Sequence, residues 1–277
     1  MAEGRIWLDG ALVPIEAAHV PVTDRAFTVG DGVFESLRAD GGVPFALRRH
    51  LARLRRSAER VGLTVPWSDE ELRAAVAAVL AAEPRDHARV RITVSAGSGP
   101  VGTPRGAGRP TVVVTAAPSA PRPPTTAVCT APWPRNERSP LAGVKSTSYG
   151  EMVLALAHAE ARGCGEALLA TTTGLLSEAT GSNVFVVLGG RLVTPPLSSG
   201  CLPGVTRALV LELTDAVEED VPMAALAEAD EVFLTSTTRR VQAVHELDGR
   251  PLHPAPGPVT AAVRDALEDL VRRTAEP

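Results

Sequence analysis

The chain has 277 residues, 44% of them hydrophobic and 22% charged, with a formal net charge of −4. That length suits one large domain or two small ones, the composition is that of an ordinary globular protein, and the mild negative charge offers no general attraction to nucleic acid or to an anionic membrane. No apolar run reaches bilayer-spanning length, and the first residues lack the basic start and apolar stretch of a signal peptide. Three scattered cysteines, Cys129, Cys164 and Cys201, read as reduced thiols of a cytoplasmic protein. The histidines form no metal-type spacing, so no metal is expected.

In chain order, residues 5–12 alternate around Asp9-Gly10, a hairpin signal. Strands are expected over 32–39 and 42–46, across a tight Asp40-Gly41-Gly42 turn. Leu47, Leu51, Leu54, Ala58 and Val61 share one face of a helix over 47–61. Ser68 is an N-cap for a second helix over 69–82. β-rich runs at 90–94 and 111–115 flank a Gly/Pro-rich stretch, 97–110, that reads as a loop over a site. The proline-rich residues 118–124 read as a stiff linker between a small domain over 1–117 and a larger one over 125–277. Beyond it come a strand at 127–130, a loop ending at Lys145, and a helix over 150–162 stopped by Gly163. Strands follow at 166–171, 184–188 and 191–194, the last two joined by Gly189-Gly190. A helix over 206–216, strands at 231–235 and 241–244, and a helix over 259–273 complete the chain. This is the pattern of two α+β lobes.

The basic residues hold the first chemical clue. All but one of the 28 are arginine, and the exception is Lys145, four residues ahead of the single tyrosine, Tyr149. Arginine replaces lysine where a solvated charge suffices, but not where an amine must lose its proton and attack a carbonyl. Lys145 is therefore a candidate for Schiff-base chemistry. Its place just before a helix puts it at the positive end of a helix dipole, which disfavours the protonated amine. Glu178, in LLSEATGSNVF, is expected in a short turn between strands, where it can serve a surface turn or pair with a pyridinium nitrogen. Two segments read as anion cradles: the Gly/Pro turn and helix start around Gly200, Gly204, Val205 and Thr206, and the threonine run 235–240. Arg53 falls near the apolar side of its helix, and a partly buried guanidinium suits a bound phosphate. One amine, one carboxylate, two phosphate cradles and an inward arginine are what pyridoxal phosphate requires.

On these motifs the chain resembles the class IV aminotransferases, the fold-type IV pyridoxal phosphate enzymes. DRAFTVGDGVFESLR is similar to the family's opening motif. The resemblance implies an α+β fold of two α/β lobes with pyridoxal 5'-phosphate in the cleft between them. HLARL carries the phosphate-binding arginine onto Arg53, and VKSTSYGEMVLALAHA carries the Schiff-base lysine onto Lys145, with Tyr149 near the ring. LLSEATGSNVF carries the ring-nitrogen carboxylate onto Glu178. CLPGVTR carries a leucine behind the ring onto Leu202 and two phosphate-binding amides onto Val205 and Thr206. ADEVFLTSTT carries a phosphate-contacting threonine onto Thr237, with Thr238 beside it. Within the family, the wording around the lysine and the SSGCLPGVTRALVLE stretch look most like 4-amino-4-deoxychorismate lyase, which makes 4-aminobenzoate and pyruvate on the way to folate. The alternative is a branched-chain or D-amino-acid aminotransferase using a 2-oxo acid. Arg38, Arg91, Arg105 and Arg109 are candidates for substrate carboxylates. The resemblance also implies a small-molecule amino substrate and a homodimer.

Overall fold

The computed structural model describes residues 4–277. The chain folds as two units, one of Met1–Ala120, Val144–Tyr149 and Ala275–Pro277, the other of Pro121–Gly143 and Gly150–Thr274. The proline-rich stretch lies at one boundary, but the division is not a single cut. Val144–Tyr149, expected with the larger domain, folds with the first unit because its backbone pairs with a strand there.

The first unit is a six-stranded antiparallel sheet with two helices on one face. Its strands are β1 (Arg5–Leu8), β2 (Ala11–Pro14), β3 (Gly32–Asp40), β4 (Val43–Pro44), β5 (His87–Ser95) and β6 (Val112–Pro118), in the order β2-β1-β6-β5-β3-β4. A short helix, α1 (Arg25–Val29), precedes β3; α2 (Leu47–Arg60) and α3 (Asp69–Ala82) follow β4. Alternation along the strands sends Val33, Leu37, Ala39, Val90, Ile92 and Val94 to one face. There they meet Leu47, Leu51 and Leu54 of α2 and Leu72, Val76 and Val79 of α3. Ser68 caps α3 in a full capping box with Glu71, as its sequence suggests. β4 is too short to cover the start of β3, and Val144–Tyr149 takes that edge. Phe34 N–H donates to the Lys145 carbonyl at 2.9 Å, and Thr147 N–H donates to the Gly32 carbonyl at 2.8 Å.

The second unit is a nine-stranded mixed sheet. Its strands are β7 (Thr125–Thr130), β8 (Glu166–Ala170), β9 (Leu176–Ala179), β10 (Asn183–Leu188), β11 (Arg191–Thr194), β12 (Val217–Glu218), β13 (Glu231–Ser236), β14 (Arg240–Leu247) and β15 (Arg250–Pro251). They run in the order β12-β11-β10-β13-β14-β7-β8-β9, with β15 on β14. The parallel β7–β8 pair is spanned by α4 (Gly150–Glu160); α5 (Val205–Leu213) and α6 (Pro258–Arg273) pack on β13. Val128, Leu168, Leu176, Val184, Val186, Val232, Leu234 and Val244 form its core. Among the described residues no helix is long and apolar enough to cross a membrane.

The Gly/Pro-rich loop 97–110 is fastened by arginines. Arg25, only 3% exposed, donates to the carbonyls of Gly102 at 3.0 Å and Thr103 at 2.9 Å. Asp31 accepts from Arg25 Nε at 3.3 Å and bidentately from Arg105 at 2.8 and 2.7 Å. Replacing Asp31 with Ala removes the one carboxylate that both guanidinium groups share. Trypsin cleavage after Arg105, followed by mass spectrometry, is expected to accelerate several-fold with an unchanged far-UV spectrum; an unchanged cleavage rate would show that Asp31 does not hold the loop.

Candidate functional site

In the first unit the edge pairing sets which way Lys145 faces. Side chains alternate along the added segment: Val144 and Ser146 are buried, while Lys145 lies with Phe34 on the other face. Lys145 Nζ sits 4.6 Å from the centroid of the Phe34 ring and 5.9 Å from that of Tyr149. Tyr149 packs edge-on against Phe34, with centroids 5.4 Å apart. Arg91 lies flat on the same Phe34 ring, its guanidinium carbon 3.7 Å from the centroid. The helix-dipole expectation for Lys145 therefore does not hold. The residue is on an extended segment at a sheet edge, outside the first turn of the helix that starts at Gly150, and two aromatic rings, whose faces attract a cation, lie near its amine.

Arg53 is buried, as its position beside Leu51 and Leu54 suggests, but the anion it meets bidentately is in the chain. Its Nε and Nη2 donate to Glu35 at 2.8 and 2.7 Å. The same carboxylate lies 2.7 Å from His50 Nδ1. Glu35 points inward because β3 places it in register with Val33 and Leu37, facing α2. His50 and Arg53 point back because they share the buried side of that helix. One turn beyond Arg53, Ser57 Oγ accepts the Lys145 backbone N–H at 3.4 Å, docking the lysine segment on α2. The sequence reading missed Glu35; its signal was a carboxylate at an inward position of an apolar strand.

In the second unit Glu178 lies within β9 rather than in a turn. It pairs opposite Leu169 of β8 and is 6% exposed. Burial forces hydrogen bonding: Oε2 accepts the Leu202 N–H at 2.9 Å and Asn183 Nδ2 at 3.4 Å, and Arg135 stands 3.2 Å from Oε1. Asn183 Nδ2 also donates to the Leu202 carbonyl at 2.9 Å, so both backbone groups of Leu202 are tied to this cluster. Burial and the nearby Glu178 charge push the Cys201 thiol up to about 11, which makes it an inert neighbour.

Val205 and Thr206 form the first turn of α5, whose opening N–H groups have no acceptor within the helix. Gly204 precedes them, and a Cβ there would fall 2.0 Å from Asn183 Oδ1, so a larger residue would have to displace the Asn183 side chain. Thr237 and Thr238 are half-buried in the turn joining β13 and β14. Arg239 anchors that turn through a 2.8 Å pair with buried Glu166. Glu166 also accepts from Thr180 Oγ1, Gly181 N and Ser182 Oγ at 2.6, 2.7 and 2.9 Å, fixing the turn that follows Glu178. Arg135, Asn183, Glu166 and Arg239 went unremarked in the sequence, since nothing local distinguishes them from other polar residues.

The four candidate carboxylate binders separate. Arg91 stands beside Phe34 and Lys145. Arg38 is instead committed to Asp40, with Nε 2.7 and 3.0 Å from its two oxygens. Arg105 is committed to Asp31 and to the Gly62 carbonyl at 3.0 Å. In-chain carboxylates thus already take donors of both guanidinium groups, as Glu35 takes those of Arg53. Arg109 is exposed on the 97–110 loop.

The profile of a family described as amino-transferase class IV matches residues 32–247. A putative branched-chain-amino-acid aminotransferase of Methanocaldococcus jannaschii is 35% identical, over 96% of each chain. A D-alanine aminotransferase of Bacillus licheniformis is 31% identical, over 96% of this chain and 97% of its own. A branched-chain aminotransferase of Thermoproteus uzoniensis, solved with norvaline, superposes with a TM-score of 0.91 at 31% identity, covering 97% of this chain and 94% of that one. The α+β architecture is thus the fold-type IV architecture expected from the motifs.

Glu35 gives the site a pH signature. Burial alone would raise its carboxyl, but the Arg53 guanidinium and the hydrogen bonds from Arg53 and His50 outweigh burial and hold it well below the ordinary 4.5. A group depressed on folding stabilises the fold above its unfolded value and loses that contribution as pH falls beneath it. Stability measured by urea titration is therefore expected to drop between about pH 4.5 and more acid conditions. Glu35→Gln should flatten that acid limb while costing roughly 3–5 kcal/mol near neutrality, because Arg53 is left without its counterion. An acid limb as steep in the variant as in the wild type would assign the drop to other carboxylates.

Proposed function

The chain belongs to the class IV aminotransferase family, and from that premise we propose that it moves the amino group of an α-amino acid to a 2-oxo acid. The family's coenzyme is pyridoxal 5'-phosphate. Three features of this chain suit it: the buried Glu178 carboxylate fixed by the Leu202 N–H, the start of α5 at Gly204, and the inward guanidinium of Arg53. In this reading Lys145 holds the coenzyme covalently. Arg53, the N–H groups of Val205 and Thr206, and Thr237 with Thr238 hold its phosphate; Leu202 and Tyr149 pack by its ring.

When bound, the coenzyme would supply an electron sink for the amino-bearing carbon of the substrate. Glu178 would pair with the ring nitrogen, and the Leu202, Asn183 and Arg135 contacts hold its carboxylate in place. Once the substrate amine has taken its place on the coenzyme, the freed Lys145 Nζ would take the proton from the substrate carbon and return it at the other end of the transfer. Arg91 binds the substrate carboxylate: its guanidinium sits over Phe34, Nε donates to Thr93 Oγ1 at 3.1 Å, and the terminal Nη donors serve the anion.

The observation that carries this reading is that one ring, Phe34, bears both the amine of Lys145 and the guanidinium of Arg91. An amine for chemistry and a receptor for a carboxylate are what an amino acid substrate needs. The lyase reading rests on the wording around Lys145 and residues 198–212, with the low aromatic content and the arginines as support for a polar substrate, whereas the named relatives are aminotransferases of branched-chain substrates and D-alanine. Branched-chain L-amino acids and D-alanine are therefore the donors proposed, with 2-oxoglutarate as acceptor. We further propose a cytoplasmic homodimer. Ile15, Val20, Val22, Phe27 and Val29, all exposed, give the first unit an apolar stretch that suits a second copy.

The test is a paired assay. Glutamate formation from 2-oxoglutarate with one of these donors is expected; release of 4-aminobenzoate from 4-amino-4-deoxychorismate without amino transfer would overturn the reading in favour of the lyase. Lys145→Ala should abolish both turnover and the visible absorbance of the bound coenzyme, with the far-UV spectrum intact. Retained turnover in that variant would refute the role given to the lysine.

A further inference from the structure

His50 Nε2 is a polar atom that the roles above leave without a purpose. The ring is 1% exposed, and Nε2 has no hydrogen-bond partner among the described residues. Nδ1 is held 2.7 Å from Glu35 Oε2, so that nitrogen carries its proton toward the carboxylate and Nε2 is left as the open position. A buried polar atom without a partner is costly, and natural structures retain few of them. The same Glu35 carboxylate orients Arg53, one helical turn along α2, through both of its oxygens. One anion thus fixes the orientation of two neighbouring side chains, of which Arg53 is already given to the phosphate.

We propose that His50 is a second side-chain ligand of the coenzyme's phosphate, sharing a proton between Nε2 and a phosphate oxygen, with Glu35 as the common anchor of His50 and Arg53. The inference rests on the reading of the chain as a pyridoxal phosphate enzyme. The charged groups facing His50 are Glu35 from β3, Arg53 from its own helix and Lys145 from the edge segment. Burial, Arg53 and Lys145 disfavour a second proton on the ring, against the pull of Glu35, and the net effect is a lowered pKa. A phosphate dianion at Nε2 reverses that balance. The imidazolium then lies between two anions, and one solvent proton enters the site with the ligand.

The experiment uses the full chain stripped of coenzyme and rebound with pyridoxal 5'-phosphate or with pyridoxal, which lacks the phosphate. His50→Asn keeps a donor for Glu35 and removes the Nε2 position; His50→Gln places a donor at that position. His50→Asn is expected to weaken pyridoxal 5'-phosphate roughly tenfold or more, the worth of one hydrogen bond to a charged group. Pyridoxal affinity should be unchanged in that variant, and His50→Gln should recover part of the loss. Calorimetry of the wild-type chain, in two buffers of different ionisation heat, should find about one more proton taken up with pyridoxal 5'-phosphate than with pyridoxal. Equal losses for the two ligands in His50→Asn, or no difference in proton uptake in the wild type, would overturn the assignment while leaving the coenzyme reading intact. A wild-type chain that binds neither ligand would sink both.

Discussion

Two backbone hydrogen bonds decide what Lys145 can do. Phe34 N–H to the Lys145 carbonyl and Thr147 N–H to the Gly32 carbonyl add a short stretch of chain to the edge of β3. Strand pairing has a period of two, so a slip of one residue would turn Lys145 inward and bring Val144 or Ser146 out. Val144 blocks that slip because it is part of the apolar core. A main-chain contact thus delivers an amine to an aromatic ring already occupied by Arg91. The side-chain chemistry follows from the register.

Both units fix their functional groups with a buried carboxylate, and they use it differently. Glu35 is a hub, holding His50 and Arg53 side by side on one charge, with Oε2 shared between them. Glu166 is a tie, joining the turn after Glu178 to the turn that carries Thr237 and Thr238. In each case several charge-assisted hydrogen bonds offset the cost of taking a charge out of water. Removing one partner leaves the other stranded, which is why such clusters hold a geometry more firmly than neutral contacts do.

Much of this was legible in the sequence, and the exceptions share a cause. The helix α3 and its cap were readable because capping is local, and the hairpins at Asp9-Gly10 and Gly189-Gly190 because turn chemistry is local. Lys145 stood out because composition isolated it. Glu178 was expected in a turn, since the small polar residues after it mask a four-residue strand whose partner, β8, is what makes it a strand. Asp31 was not seen as the partner of Arg105, because that pairing spans most of the first unit's length in sequence. Long-range pairing of charge has no signature in a single sequence. For the same reason the wording around the lysine could suggest a lyase, while full-length similarity points to amino transfer.

The chain leaves its first unit after Ala120, returns for Val144–Tyr149, leaves again, and comes back at Ala275. Neither unit is a continuous stretch of polypeptide. A gene fragment ending at the proline-rich segment would encode a sheet lacking its borrowed edge and the only lysine, and the complementary fragment would carry that lysine away from the strand that orients it. The two halves cannot be exchanged as independent modules between relatives. Any recombination has to respect a path that threads Lys145 through one body on its way between two visits to the other.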